Sequence, residues 1–150
     1  MASGTDLGIL LGLAYQSFTD ELRASLLADG FDDLGSAYGY VFRALATESL
    51  QLTELAKRLG ITAQGASKII TEMESRGYVE RRPDEVDGRV KEILLAARGR
   101  KALAAARKFH VAYERRLTTK LGEDRVSAAR EMFDAMIART GSTSTPLRAI

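Results

Sequence analysis

Residues 51–95, QLTELAKRLGITAQGASKIITEMESRGYVERRPDEVDGRVKEILL, decide the fold. Within them Ile61 to Gly77 reads as one helix, because Ala66, Ile69, Ile70 and Met73 recur at the i, i+3, i+4, i+7 spacing that lines one helical face. That face belongs in a core. The opposite face carries Gln64, Lys68, Thr71 and Ser75, polar but barely charged. Thr62 is placed to cap the first turn, and Gly77 to take the left-handed conformation that ends the helix. Such a face suits a helix lying against a surface rich in hydrogen-bonding groups, and its positively polarised N-terminus favours an anionic partner such as phosphate.

Upstream, Leu52, Leu55, Ala56 and Leu59 predict a short amphipathic helix, with Thr53 as its cap and Gly60 as its stop. The turn Gly60-Ile61-Thr62 then joins two helices in a helix-turn-helix. Downstream, residues 78–82 and 89–95 are rich in strand formers, and Pro83, Asp84, Asp87 and Gly88 punctuate the link between them. Helix, turn, helix and hairpin make a winged helix over about residues 34–96. Its wing bears Arg81, Arg82, Arg89 and Lys91.

The set Leu55-Ala56-Lys57-Arg58-Leu59-Gly60-Ile61, Arg76-Gly77-Tyr78-Val79, Arg81-Arg82-Pro83-Asp84 and Asp87-Gly88-Arg89 closely resembles the MarR family of winged-helix transcriptional regulators. In that family an Asp-x-Arg signature sits in the wing, and helices before and after the winged helix form a dimer. The resemblance implies a mainly α fold with a small β-hairpin, a winged helix-turn-helix flanked by N- and C-terminal dimerisation helices. It also implies a sequence-specific, double-stranded DNA-binding regulator: a homodimeric repressor on a palindromic operator, with helix 63–76 in the major groove and the 83–89 wing in the minor groove. Where the family pattern places a threonine after Leu95, this chain has Ala96-Ala97-Arg98-Gly99, which leaves the start of the next helix open.

The flanks are consistent with one domain over residues 1–150. A helix is predicted from about Asp6 to Asp29 on the spacing of Leu7, Leu11, Ala14, Phe18, Leu22 and Leu26, with Leu10, Leu13 and Tyr15 widening the apolar stripe. Such a circumference suggests burial by a second chain. Asp32 or Asp33 opens a second helix through Ala46, and residues 47–51 form a linker. Dimerisation helices are expected over about 6–29 and 99–140. The latter stretch divides at Gly122, and Val126, Ala129, Met132, Phe133, Met136 and Ile137 form the buried stripe of its second part before Arg139 and Gly141 close it. The polar, proline-interrupted tail 142–150 is expected to be disordered.

Roles in recognition follow from residue chemistry. Gln64 suits a bidentate contact to adenine, and Lys68 reaches guanine or phosphate. Gly65 lets the backbone approach closely, and Thr62 and Ser67 offer short hydroxyls. Each also has a bland reading: Thr62 a cap, Gln64 and Lys68 a solvated face, Gly65 drift. Their coincidence on a helix followed by a basic hairpin favours DNA. By resemblance Arg89 is the wing arginine of the minor groove, with Asp87 holding it or shaping the tip. Arg81, Arg82 and Lys91 serve as phosphate partners. Many members of the resembled family release DNA when a small aromatic or phenolic anion binds between the dimer helices and the winged helix. Tyr15, Phe18, Tyr38, Tyr40, Phe42, Arg43, His110 and Tyr113 are candidates for such a pocket, with core packing as the competing account.

Composition excludes other classes. The 150 residues contain no cysteine and a single histidine, so neither thiol redox sensing nor a Cys/His metal site is expected. Catalytic triads and phosphate-binding Gly-rich loops are absent from the sequence, which argues against an enzyme. The apolar run 7–15 is too short to span a bilayer and lacks a preceding basic residue, so a cytoplasmic location is expected. The net charge of +2 hides polarity: residues 1–50 hold 2 basic and 7 acidic side chains, residues 92–150 hold 12 and 6. The partners expected are duplex DNA, a second copy of the chain and a small effector, with no cofactor, metal or membrane. The rival is a winged helix used only for protein interaction, its basic wing docking on an acidic partner.

Overall fold

The computed structural model describes residues 4–138. The expected tail 142–150 and the closing residues Arg139 and Gly141 lie outside this range. The chain falls into two compact units, Met1–Asp32 and Asp33–Ile150. The first contains α1, Leu7–Ala28. Its apolar residues include Leu26, which is buried, and Leu7, Ile9, Leu10, Leu13 and Tyr15, which are 42–59% exposed.

The second unit holds, in order, α2 (Tyr38–Ala44), β1 (Leu50–Gln51), α3 (Leu52–Leu59), α4 (Ala63–Ser75), β2 (Val79–Pro83), β3 (Lys91–Leu95), α5 (Ala97–Leu121) and α6 (Glu123–Ala138). The strands form one antiparallel sheet in the order β1-β3-β2, with Arg81 and Leu50 flanking Ile93 on either side. Ile93 is 1% exposed, and Leu95 on the same strand, Val79 on β2 and Leu50 on β1 are buried with it.

Helix α4 forms where the apolar spacing puts it. Ala66, Ile70 and Met73 are wholly buried, and Ile69, at the margin of that face, is half-buried. Thr62 caps it as expected, its hydroxyl accepting the Gly65 N–H at 3.0 Å. The turns after α3 and α4 rest on Gly60 (φ 66) and Gly77 (φ 77), left-handed positions that a residue with a Cβ rarely adopts. After each, the next N–H reaches back over the helix end: Ile61 to the Ala56 carbonyl at 3.1 Å, Tyr78 to the Met73 carbonyl at 2.9 Å.

Four local expectations are corrected. Residues 47–51 are not merely a linker, because Leu50 and Gln51 pair with Ile93 and Glu92 as β1. That pairing carries the chain straight into α3, whose N-cap is Gln51 rather than Thr53, with no side-chain cap bond. Helix α2 begins at Tyr38, not at Asp32 or Asp33, and ends at Ala44. Asp33 cannot serve as its cap because Tyr78 and Arg98 take its carboxylate.

The fourth correction concerns α5, which starts at Ala97, two residues before Gly99. Gly99 lies inside the first turn because nothing larger fits: a Cβ there would meet the Tyr78 carbonyl oxygen at 2.0 Å. The core around these joints is aromatic. Tyr38, Phe42 and Tyr78 pack edge to face with ring centroids 5.6–6.3 Å apart. Along α6 the stripe expected to be buried is open, with Met132, Phe133, Met136 and Ile137 37–54% exposed. Helix α6 packs on α5, and these side chains remain only partly covered.

Candidate nucleic-acid interface

Burial of one face of α4 turns the other outward. Thr62, Gln64, Lys68, Thr71 and Ser75 are exposed, and Ser67 is half-buried at the edge. Gln64 and Lys68 lie one helical turn apart on this face. Gly65 has a local reason to be small, since a Cβ would press on the Thr62 hydroxyl at 3.2 Å. The cap bond satisfies the N–H of Gly65 and leaves those of Ala63 and Gln64 at the helix N-terminus for an outside acceptor.

The wing tip is shaped by two aspartates. Asp84 accepts the Val86 N–H and Asp87 the Arg89 N–H, both at 3.1 Å. The Asp84 N–H and Val90 carbonyl close the loop at 2.8 Å. Asp87 therefore holds the backbone of Arg89 and orders the tip. Arg89 and Lys91 are exposed. Arg82 is exposed and pairs with Glu80 two residues back on the same strand. Arg81 differs from the expectation of a phosphate partner: its guanidinium bonds Glu74 at 2.5 Å and Thr71 at 3.3 Å. It ties β2 to α4, and the strand alternation that turns it from Arg82 is the signal that distinguishes the two. Val86, which the sequence reading passed over, stands 96% exposed at the tip between charged neighbours.

The expected effector residues are spread over α2 and α5 of the second unit and α1 of the first. Tyr38 and Phe42 are 2% and 5% exposed within the aromatic core. Burial, and then the hydrogen bond to Glu72, push the Tyr38 phenol up to about 12, so it remains a donor. Tyr40 is half-buried on α2. His110 and Tyr113 lie on α5, where Phe109 packs against both rings at 6.0 and 5.6 Å. Desolvation, and then the charge of Arg43, lower the His110 imidazole below its usual range. Tyr15 and Phe18 belong to α1, in the other unit. A shallow cavity of about 430 Å³ lies on α5 among Ala112, Arg115, Arg116, Thr119 and Lys120, none of them an expected effector residue.

A capped helix with a buried apolar face, the short helix before it and the three-stranded sheet carrying a wing define a winged helix-turn-helix protein. Residues 32–90 match the MarR family. The crystal structure of Streptococcus pneumoniae FabT in complex with DNA has the same fold, at a TM-score of 0.74 and 18% identity over 91% of this chain and 98% of that one. The transcriptional repressor CouR, bound to a 23-mer DNA duplex, is 28% identical with a TM-score of 0.61, covering 90% of this chain and 99% of its own. Among curated proteins, the exopolysaccharide II synthesis transcriptional activator ExpG of Rhizobium meliloti (strain 1021) is 28% identical over 113 residues, 75% of this chain. The chain spans 58% of the length of that relative.

Residues 32–90, which hold the helix-turn-helix and most of the wing, are thus similar to the MarR family of winged-helix transcription regulators, and the fold matches solved regulators of this kind over about nine-tenths of the chain. Among its described residues, no helix is long and apolar enough to cross a membrane.

Proposed function

We propose that the chain regulates transcription as a homodimer that reads a palindromic operator in double-stranded DNA, with α4 in the major groove and the wing in the minor groove. The segregation of α4 carries this reading. Ala66, Ile70 and Met73 are wholly buried, and Gln64 and Lys68 stand outward beside a capped N-terminus. Gln64 and Lys68 supply base and phosphate contacts, with Thr62, Gly65 and Ser67 at close approach. Arg89, ordered at the backbone by Asp87, enters the minor groove, and Arg82 and Lys91 meet phosphates.

Apolar side chains exposed on α1 and α6 support pairing of two copies, since a chain that kept them in water would forgo the gain from their burial. Pairing also supplies the half-site separation of about 34 Å that successive major grooves demand. Repression is the simpler sign of control, because occupancy of an operator suffices to exclude the polymerase. CouR is a repressor and ExpG an activator, and the name of ExpG favours activation as the second reading. A small aromatic anion as effector is supported by the rings of Phe109 and Tyr113 near His110, whose imidazole feels the charge of Arg43. The effector acts by binding more tightly to one spacing of the recognition helices than to the other.

Selection of bound fragments from random duplex DNA tests the reading. A palindromic consensus bound with an affinity that falls steeply with salt is the expected result. Recovery of no consensus, with affinity no greater than that of an unrelated basic protein, would leave the protein-interaction role in its place.

A further inference from the structure

One side chain joins the start of α5 to the end of α4. Arg98, in the first turn of α5, grips both oxygens of the Asp33 carboxylate, at 3.0 and 3.1 Å. The same guanidinium donates to the carbonyl of Arg76, the C-cap residue of α4, at 2.6 Å. Its plane also lies over the Tyr78 ring, 4.4 Å from the centroid. Tyr78 in turn donates its hydroxyl to Asp33 at 2.5 Å. Arg76 reaches the backbone carbonyl of Asp33, also at 2.5 Å, and the Tyr38 hydroxyl at 3.0 Å, and Tyr38 donates to Glu72 of α4 at 2.5 Å.

The backbone is as closely joined. The Ala96 N–H bonds the Tyr78 carbonyl at 3.0 Å, and Gly99 lies so near that oxygen that a Cβ would not fit. Two arginines thus face two carboxylates, Asp33 and Glu72, across the joint between α2, α4, β2 and α5. A planar fork of five donors does this, and a lysine ammonium cannot: it is a point charge without a flat face to stack. Apart from Glu72, which is exposed one turn beyond Lys68, none of these residues lies on the outward face of α4. Their effect on recognition is therefore through the angle at which α4 is held.

We propose that Arg98 is a positioning residue for DNA recognition, a clamp through Asp33 and the Arg76 carbonyl that makes α4 follow α5 as one body. The proposal rests on α4 being the DNA-contacting helix. It predicts that a displacement of α5 reaches α4 undiminished, and that loosening the clamp degrades the discrimination of operator spacing along with affinity.

Two measurements on the full chain separate this proposal from the DNA reading itself. The chain has no cysteine, so spin labels can be placed through Ala63→Cys on α4 and Lys108→Cys on α5. Dilution into unlabelled chain isolates the distance within one copy. A narrow distance distribution is expected for the otherwise unaltered chain and a broadened one for Arg98→Lys or Asp33→Asn, with the circular dichroism of both variants unchanged. An unchanged distribution in both would overturn the proposal whether or not the chain binds DNA. In the second measurement, Arg98→Lys should lose on the order of tenfold in affinity for the selected operator. It should lose less on operators with one base pair inserted or removed at the centre, so that the preference among spacings shrinks. Affinity and spacing preference equal to those of the unaltered chain would overturn the positioning role. If the distribution broadens while no duplex is bound by any form, the clamp stands and the DNA reading falls.

Discussion

In the proposed reading Arg89 and Gln64 make two kinds of contact, one electrostatic and one geometric. Arg89 is exposed on a tip that Asp87 orders through its backbone N–H, so Arg89→Ala removes a charge and leaves the loop in place. Operator affinity is expected to fall about tenfold or more and the salt dependence to flatten by about one charge, as read by fluorescence anisotropy over a salt series. Gln64→Ala should instead cost roughly 1–3 kcal/mol on the selected operator and little on random duplex. Equal losses on both would show that Gln64 reads no base. Asp33 makes a prediction of another sort. The Tyr78 hydroxyl first, and Arg98 after it, hold its carboxyl below the ordinary 3.8 against the opposing pull of desolvation. A carboxyl lowered in the folded state contributes stability above its unfolded value, and that contribution is lost as pH falls through the folded one. Between about pH 5 and pH 2 the unaltered chain should therefore lose more of its melting temperature than Asp33→Asn does. Parallel melting curves for the two across that range would show that Asp33 is not titrating under this influence.

At the scale of elements, the start of α5 is decided by contact rather than by capping. No side chain caps its N-terminus, and the N-cap position is Ala96. What sets it is the approach of Gly99 to the Tyr78 carbonyl, where a backbone oxygen cannot swing aside as a long side chain would. Gly99→Ala is expected to destabilise the fold by about 1–3 kcal/mol or more, although alanine favours helices by itself. Urea denaturation would check the sign, and a stabilised protein would mean that α5 is free to shift along β2. The same joint explains why α2 is short. Asp33 is committed to Arg98 and Tyr78, and the ring of Tyr38 lies so close to Gly35 that a Cβ there would meet it at 2.6 Å.

At the scale of the molecule, the apolar side chains left in water on α6 carry the prediction. Phe133 is 43% exposed and Ile137 54%. On the proposed pairing, a charge introduced at Phe133 falls in the interface between two chains. Phe133→Glu should therefore shift sedimentation from a two-chain to a one-chain species while the helix content measured by circular dichroism is kept. Its operator affinity should collapse toward that for random duplex, since a single winged helix contacts one half-site. An undiminished two-chain species would place the dimer contact elsewhere.

Local chemistry alone determined α3, α4 and the wing, along with the glycine stops at Gly60 and Gly77 and the outward face of Gln64 and Lys68. Helical spacing, capping hydroxyls and turn residues act within a few positions of the chain, so each was readable from neighbours in the sequence. The tertiary structure decided the rest. Only the register of β3 shows that Leu50 and Gln51 form a strand, and although strand alternation turns Arg81 and Arg82 to opposite faces, only packing shows that Arg81 is the one that serves α4. Only contact across 65 positions of chain shows that Asp33 belongs to Arg98 rather than to a helix cap. A charged or polar side chain offers the same donors and acceptors wherever it stands; which of them it spends on the fold and which it leaves for a partner depends on what the folded backbone brings within about 3 Å.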